Sequence, residues 1–268
     1  DNLQVIFATS AGDVRRNALS DFTNVRSNGK IAMDLPEGVE LVNVRIAGED
    51  DDIMLFTNSG RAIRFSSTDV RVFKGRKSTG VRGIRLNGDD RVVSMSIIRH
   101  FEATPDERSA YLKMRRAMAG VVDDDQTAHD DDATDANATI SQERYAEMSA
   151  IENLILTITS GGQGKLSSSH DYPVRGRGGM GVTAMDKAMR GGDIVASFPV
   201  EMEDQIMLAT SKGQSIRVPV DGISFRSRSA GGVRVFNTGK GEMVVSVARI
   251  ADQGDEDAED MGDAPAVE

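Results

Sequence analysis

The sequence predicts an all-β fold built from repeated, propeller-like blades. The first observation is a segment of about fifty residues that the chain repeats four times. The copies open with similar strings at residues 5–12, 53–60, 155–162 and 206–213. In each copy an apolar, β-branched run meets a polar turn that ends in Gly, and a short second run follows, which is typical of a β-hairpin. A fixed period of this size indicates a repeat architecture.

The second observation is that each copy continues with two further strand patterns. A Gly followed by a short apolar run recurs at residues 29–33, 80–85, 181–185 and 232–236. An acidic or Gly turn and one more apolar run close the copies at residues 40–44, 91–95, 193–197 and 242–246. Four short strands are the content of one propeller-type blade. A pair of helices is the rival for this period, but no 3.6-residue apolar stripe runs through the copies.

The segment between the second and third copies has a different pattern. Thr104, Pro105 and Glu107 combine a capping residue, a Pro at the first helical position and a Glu three residues after the cap, so they predict a helix that ends near Gly120. A second short helix is predicted from Ser141 to about Ile151. The polar stretches at residues 123–137 and 252–268 are predicted to be disordered. The chain thus divides into two blades at 1–100, a mostly helical insertion with an acidic tip at 101–153, two blades at 154–251 and an acidic tail at 252–268.

The composition excludes several classes of site. There is no Cys, which rules out disulfides, zinc–thiolate sites and iron–sulfur clusters. No run of about 18 apolar residues and no charged-then-apolar leader is present, so we expect neither a membrane span nor a signal peptide. We expect a cytoplasmic protein, and because Asp1 lies one step from a core strand we expect a fragment of a longer chain.

The net charge of −10 is distributed unevenly. Residues 101–150 hold 12 acidic and 5 basic residues, and residues 252–268 hold 8 acidic and none basic, which leaves a net charge of +5 on the repeats. A basic body with acidic appendages is typical of a protein that binds a polyanion, although a simple solubility tail gives the same count.

Basic side chains recur at matched positions of the copies, at the end of the second strand and in the loop before the third. The set comprises Arg15, Arg16, Arg26, Lys30, Arg64, Arg71, Lys74, Arg76, Lys77, Arg82, Arg85, Lys165, Arg175, Arg177, Arg217, Arg226, Arg228 and Arg234. Because equivalent positions of a radial repeat lie on one rim, we expect these charges to form a belt that holds the phosphates of bent, double-stranded DNA. The alternative is that each charge only solvates a loop.

No catalytic or metal site is predicted. Residues 176–181 match the dinucleotide fingerprint G-x-G-x-x-G, but the chain continues into a short strand where the motif requires a helix. The three His residues, His100, His129 and His170, have no spacing suited to a metal. With no Trp, three Tyr and nine Phe, the chain favours contact with the DNA backbone over base stacking.

Several long strings resemble the C-terminal domain of DNA gyrase A, a six-bladed β-pinwheel. They lie at residues 53–56, 78–86 and 204–207 and in the acidic tail. The resemblance implies a non-catalytic module that wraps DNA and presents it to a cleavage core for ATP-dependent negative supercoiling by a type IIA topoisomerase. It implies as partners double-stranded DNA, the rest of gyrase A, and gyrase B in a heterotetramer. It also implies that ATP and Mg²⁺ bind elsewhere in the holoenzyme and that this fragment holds no cofactor.

One departure from the family concerns its hallmark box, Gln-Arg/Lys-Arg-Gly-Gly-Arg/Lys-Gly, in the first blade. This chain has no intact copy, and its nearest string is residues 175–181, in the third copy. We therefore expect the four copies to be the last four of six blades. Two alternatives remain open at this point: the corresponding C-terminal domain of topoisomerase IV, and a propeller-like scaffold for protein interactions.

Overall fold

The computed structural model describes residues 3–120, 135, 137–188 and 191–251. The first copy forms β1 (Gln4–Thr9), β2 (Asp13–Ala18) and β3 (Leu41–Ala47). The second copy forms β4 (Asp51–Thr57), β5 (Arg61–Ser66), β6 (Val81–Arg82) and β7 (Val92–Arg99). Two helices follow, α1 (Pro105–Met118) and α2 (Gln142–Ile151). The third copy forms β8 (Leu154–Thr159), β9 (Gln163–Ser168), β10 (Val182–Thr183) and β11 (Ile194–Val200), and the fourth forms β12 (Gln205–Thr210), β13 (Ser215–Pro219), β14 (Val233–Arg234) and β15 (Val244–Ile250).

The strands form four antiparallel sheets. Each of the first three sheets includes one short strand from the following copy, which we call the exchanged strand. The orders are β3-β1-β2-β6, β10-β5-β4-β7, β11-β8-β9-β14 and β13-β12-β15, which we call the first to fourth sheets. The short third strand of a copy therefore pairs with the second strand of the preceding copy. The all-β, repeated fold is confirmed, but the prediction that each blade takes all four strands from one copy is wrong.

The Gly before each exchanged strand allows two backbones to meet closely. Gly80 has φ of 97° and Gly181 has φ of 68°. A Cβ on either residue would lie 2.2 Å from a carbonyl oxygen of the preceding copy's second strand, that of Val14 or Ala62. Only glycine fits both the backbone angle and the space, which explains why a Gly precedes the short strand in the repeat pattern.

The two ends of the array differ from its middle. The strand predicted at residues 29–33 does not form, and no second strand among the described residues pairs with this segment. At the other end, the fourth sheet has only three strands, and β13 lies at its edge with alternate residues exposed.

The core lies between neighbouring sheets. Buried clusters join the first sheet to the second, the second to the third and the third to the fourth, and are represented by Ile6 with Leu55, Met54 with Ile155, and Leu156 with Leu208. Strands β3, β7, β11 and β15 contact one another in turn, so they lie at the centre of the array. The second strands and their exchanged partners consequently lie at the outer edge.

The predicted helices are confirmed. Thr104 and Glu107 form both hydrogen bonds of a capping box at the start of α1, and Ser141 caps α2. The ring of Tyr111 in α1 stacks on Tyr145 in α2 at 4.9 Å and meets the edge of His170, which follows β9, at the same distance. The helix pair is therefore packed against the third copy.

Some predictions fall outside the described residues. These are the acidic tail at residues 252–268 and nearly all of the acidic tip at residues 123–137. The four-part division of the chain into domains stays a prediction. Neither helix in the described part of the chain has the length and apolar character needed to span a bilayer.

Candidate nucleic-acid interface

The predicted basic residues separate into three groups by exposure. Nine are exposed: Arg26, Arg71, Lys74, Lys77, Arg82, Arg85, Arg177, Arg217 and Arg234. Four are partly buried: Lys30, Arg76, Arg175 and Arg226. Five are buried: Arg15, Arg16, Arg64, Lys165 and Arg228. The prediction that these last five line an exposed surface is wrong, because each side chain is enclosed by the loop that crosses its strand or by a neighbouring copy.

Six of the predicted residues line one groove at the outer edge of the first sheet. Its walls are residues 24–31 of the first copy and residues 71–78 of the second, and its volume is about 1740 Å³. The lining cations are Arg26, Lys30, Arg71, Lys74, Arg76 and Lys77. Among the described residues that line it there is no Asp or Glu. We call this feature the basic groove.

The cations of the basic groove are held to different degrees. Within the described residues, no hydrogen bond or ion pair holds the side chains of Lys74 and Lys77. The guanidinium of Arg71 lies 4.0 Å from the ring centroid of Phe73, and the ammonium of Lys30 donates to the carbonyl oxygen of Asp21 at 2.6 Å. The groove thus combines fixed charges with lysines whose ammonium groups are available to a ligand.

The sequence prediction missed two neutral residues in the groove, Asn24 and Asn28. Side-chain amides, like the ammonium groups of lysines, donate to phosphate oxygens in protein–DNA contacts. Asn28 lies in the turn that Gly29 closes, and Asn24 lies in the bend before it. Asn in such places is usually explained by turn geometry, so the sequence carries no signal that indicates a phosphate contact.

A second group of cations lies where the loop of the third copy meets the second copy. The backbone N–H of Gly178 donates to the carbonyl of Gly83 at 2.6 Å, and that of Arg85 donates to the carbonyl of Gly179 at 2.8 Å. The guanidinium of Arg177 donates to the carbonyls of Asp69 and Arg82. These contacts bring Arg82, Arg85 and Arg177 together, and none of the three lines the basic groove.

The remaining predicted cations are spread over the third and fourth sheets. Arg234 is exposed on β14, and Arg226 is partly buried in the loop before it. Arg217 is exposed because it lies on β13, which no exchanged loop among the described residues covers. The structure therefore brings together most of the first- and second-copy cations but leaves those of the fourth copy apart.

Two buried cations hold the loops that cross the outer edge. Arg15 donates from Nη1 to the carbonyl of Ser78 at 2.6 Å and from Nη2 to the carbonyl of Gly75. Lys165 donates to the carbonyls of Ser227 at 2.9 Å, Ala230 at 2.6 Å and Arg228. Both side chains therefore act on the loop backbone, since buried carbonyl groups require donors.

Arg64 is held at the second sheet by a buried carboxylate. Its Nε lies 2.7 Å from Oδ2 of Asp52, whose other oxygen lies 2.8 Å from Nδ1 of His100. Burial lowers the pKa of Arg64, and the charge of Asp52 opposes that effect. Arg16 has the matched position in the first sheet, where Gln4 stands at the place that Asp52 has in the second. Burial lowers the pKa of Arg16 as well. The side chains of Arg16 and Arg64 are therefore buried, and neither lines the basic groove.

Arg61 is a loop-holding residue that the sequence prediction missed. It donates to the carbonyls of Met180 at 3.2 Å and Gly181 at 2.5 Å, and to the hydroxyl of Thr183 at 3.3 Å. The matched position carries Asp13 in the first copy and Gln163 in the third, so no repeated charge marks it in the sequence.

Comparison with known protein families gives a match over most of the chain. The family model for the DNA gyrase C-terminal domain, beta-propeller, matches residues 4–47, 51–99, 153–198 and 204–251. The chain belongs to this family. Each matched segment of this gyrase-type domain is one of the sequence copies, and the helical insertion lies between the second and third.

Curated relatives and solved structures agree with the family. The chain is 44% identical to the DNA gyrase A protein of Granulibacter bethesdensis over 98% of its length, and 40% identical to that of Rickettsia bellii over 97%. It spans 29% and 28% of those two proteins. A solved DNA gyrase A C-terminal domain matches with a TM-score of 0.65 at 20% identity, covering 93% of this chain and 66% of that one. The C-terminal domain of DNA topoisomerase IV matches with a TM-score of 0.68 at 19% identity, covering 94% and 62%, and at these identities the likeness concerns the fold.

Residues 176–181, which match a dinucleotide fingerprint, have a different role in this gyrase-type domain. They form the loop that crosses the outer edge of the second sheet and lead into β10, not into a helix. Within the described residues, no group of three or more His, Asp or Glu side chains is placed to hold a metal ion.

Proposed function

We propose that this chain is a DNA-binding and DNA-bending part of DNA gyrase A. Double-stranded DNA lies along the outer edges of the sheets, with its phosphates on the exposed Lys and Arg side chains. The bent segment is then presented to the cleavage core of the same protein for negative supercoiling. The family match and the curated relatives support the gyrase context.

The observation that carries the proposal is the basic groove. In the described part of the chain, six cations and no carboxylate line a single cleft, although the overall charge of the chain is −10. A cleft lined by one sign of charge raises the local concentration of an oppositely charged ligand. Phosphates spaced along a duplex are such a ligand, and they need Lys, Arg, Asn and backbone N–H donors but no base-specific contact.

The wider assembly is part of the same proposal. The rest of gyrase A supplies the cleavage site, and gyrase B completes a heterotetramer that binds ATP and Mg²⁺. The present chain binds and bends the DNA, and the cofactors bind elsewhere in the assembly. The holoenzyme acts in the cytoplasm, on the nucleoid.

The test is a salt titration of duplex DNA binding by fluorescence anisotropy. For the chain as it stands, log K should fall linearly with log salt, with a slope of about −0.9 for each phosphate contact. The variant Lys74→Gln/Lys77→Gln should reduce the magnitude of the slope by about 2, equally for unrelated DNA sequences. The matched control is Lys113→Gln/Lys240→Gln, which removes the same charge from exposed positions outside the groove.

Three results would contradict the proposal. Absence of duplex binding even at low salt would favour a protein-interaction scaffold. Equal losses in the two double variants would show that only net charge matters. Sequence-dependent loss in the groove variant would indicate base readout.

A further inference from the structure

The loop that forms one wall of the basic groove is fixed from beneath by Arg15. This side chain is fully buried. Its Nη1 and Nη2 atoms donate to the carbonyls of Ser78 and Gly75, and its Nε donates to Oδ1 of Asn17 at 2.8 Å. The side-chain amide of Asn17 in turn donates to the carbonyls of Phe73 at 2.9 Å and Gly75 at 3.3 Å. The carbonyls of three loop residues therefore face the sheet.

The inward carbonyls determine where the loop's N–H groups point. In a planar trans peptide the C=O and the following N–H point in opposite directions, and the described residues contain no cis peptide bond. The N–H groups of Lys74, Arg76 and Thr79 consequently point away from the sheet. Within the described residues, no backbone N–H from Lys74 to Thr79 donates to a protein acceptor.

The third sheet shows what such an N–H group binds. There Lys165 holds the carbonyl of Ser227 inward, and the N–H that follows, that of Arg228, donates to Oδ2 of Asp171 at 2.7 Å. Here the N–H that follows an inward carbonyl donates to a carboxylate oxygen. In the first sheet Asp21 follows β2 as Asp171 follows β9, and its Oδ2 accepts from the side-chain amide of Asn17 at 3.4 Å. Within the described residues Asp21 accepts no backbone N–H of residues 74–79, so those donors remain for an anionic oxygen of a ligand.

We propose that Arg15 is a positioning residue that turns the N–H groups of Lys74, Arg76 and Thr79 toward the DNA phosphates bound in the basic groove. The inference rests on the proposed function and adds a backbone component to it. Outward N–H groups beside Lys74, Arg76 and Lys77 form the kind of concave donor set that binds phosphate. Arg15 itself does not touch the DNA.

The chain supplies two matched substitutions at this position. Arg15, Ile63 and Lys165 each lie one residue before the residue that bridges to the crossing loop, at Arg16, Arg64 and Leu166. The variant Arg15→Ile therefore introduces the residue of the second sheet, and Arg15→Lys introduces that of the third. Both residue types are compatible with this strand in the same fold.

The first experiment needs no substitution. Amide hydrogen exchange of the full chain, followed by NMR with and without a DNA duplex, should show slower exchange of the Lys74, Arg76 and Thr79 amides when DNA is bound. Unchanged exchange at these amides in a chain that binds the duplex would overturn the inference.

The second experiment compares the variants in the salt titration. Arg15→Ile should weaken duplex binding on the order of tenfold and abolish the exchange protection, while the slope stays close to that of the unaltered chain because neutral N–H donors release no counterions. Arg15→Lys, which keeps a cationic donor, should recover most of the affinity and protection. An Arg15→Ile chain that retains its thermal unfolding midpoint, duplex affinity and protection would overturn the inference.

The two proposals fail in distinguishable ways. If the unaltered chain binds duplex DNA and Lys74→Gln/Lys77→Gln weakens it, but Arg15→Ile does not, only the role of Arg15 is refuted. If the unaltered chain does not bind duplex DNA, the proposed function is refuted and the role of Arg15 with it.

Discussion

The groove loop at residues 73–80 and the helical insertion are both attached to the sheets by a buried basic side chain. Arg15 donates to backbone carbonyls of the loop. His170 donates from Nε2 to the carbonyl of Met148 in α2 at 2.8 Å, and its ring meets Tyr111 of α1. In both attachments a side-chain N–H donates to a backbone carbonyl. The guanidinium of Arg15 is charged, whereas an imidazole such as that of His170 can be neutral.

This difference separates the two regions by their response to pH. Burial lowers the pKa of Arg15, but a guanidinium stays protonated in proteins. Burial also lowers the pKa of His170 from an ordinary value close to neutrality, so its imidazole is held neutral. Mild acid should therefore act on the insertion and leave the groove loop in place.

The largest expected effect concerns Lys165, the third-sheet counterpart of Arg15. The substitution Lys165→Met removes the donor for the carbonyls of Ser227, Arg228 and Ala230. An unsatisfied buried polar group costs about 1–3 kcal/mol, so we expect the free energy of unfolding to fall by about 3 kcal/mol. Urea denaturation followed by circular dichroism measures this loss.

Lys113→Met is the matched control, because Lys113 is exposed on α1. Surface substitutions of this kind change stability by about 0.5 kcal/mol or less. Equal small changes in both variants would show that the crossing loop does not depend on a buried cation.

The sequence could predict the repeats but not the exchange between them. Hairpins, the Gly before the third strand and the capping box at Thr104 are local patterns, and each corresponds to a feature of the structure. Strand β6 is only two residues long and pairs with β2, more than sixty residues away. No local pattern specifies that partner, because register is set by long-range packing.

The same limit applies to the cations of the candidate site. Arg64 and Arg217 have matched places on their second strands, opposite Met54 and Met207. Arg64 is buried because the third-copy loop crosses β5, whereas Arg217 is exposed on an edge strand. A repeated charge in the sequence therefore predicts a common register but not a common exposure.

An intermediate effect is expected for pH at His170. Burial is the largest cause of its lowered pKa; Glu152 raises the pKa, while Arg64 and Arg108 lower it further. Because the folded-state pKa is lowered, the stabilisation is complete above the unfolded value of about 6.5 and is lost as pH falls below it. The loss can be no steeper than about 1.4 kcal/mol per pH unit.

Hydrogen exchange of α1 and α2 at pH 7.5 and pH 5.5 measures this effect. The opening free energy of both helices should fall at the lower pH, and His170→Gln, which cannot titrate, should reduce the difference. The groove loop provides the internal control, and a parallel loss there would contradict the proposed separation of the two regions.

The smallest expected effect concerns the cap of α1. Thr104→Ala removes the side-chain acceptor for the N–H of Glu107, and loss of an N-cap costs about 1 kcal/mol. Thr104→Ser keeps the hydroxyl and should behave as the unaltered chain. The loss should be confined to the opening free energy of α1, measured by hydrogen exchange, with duplex affinity unchanged. A fall in duplex affinity would show that the insertion and the basic groove are coupled, because Thr104 and Glu107 belong to the insertion and neither is among the described residues that line the groove.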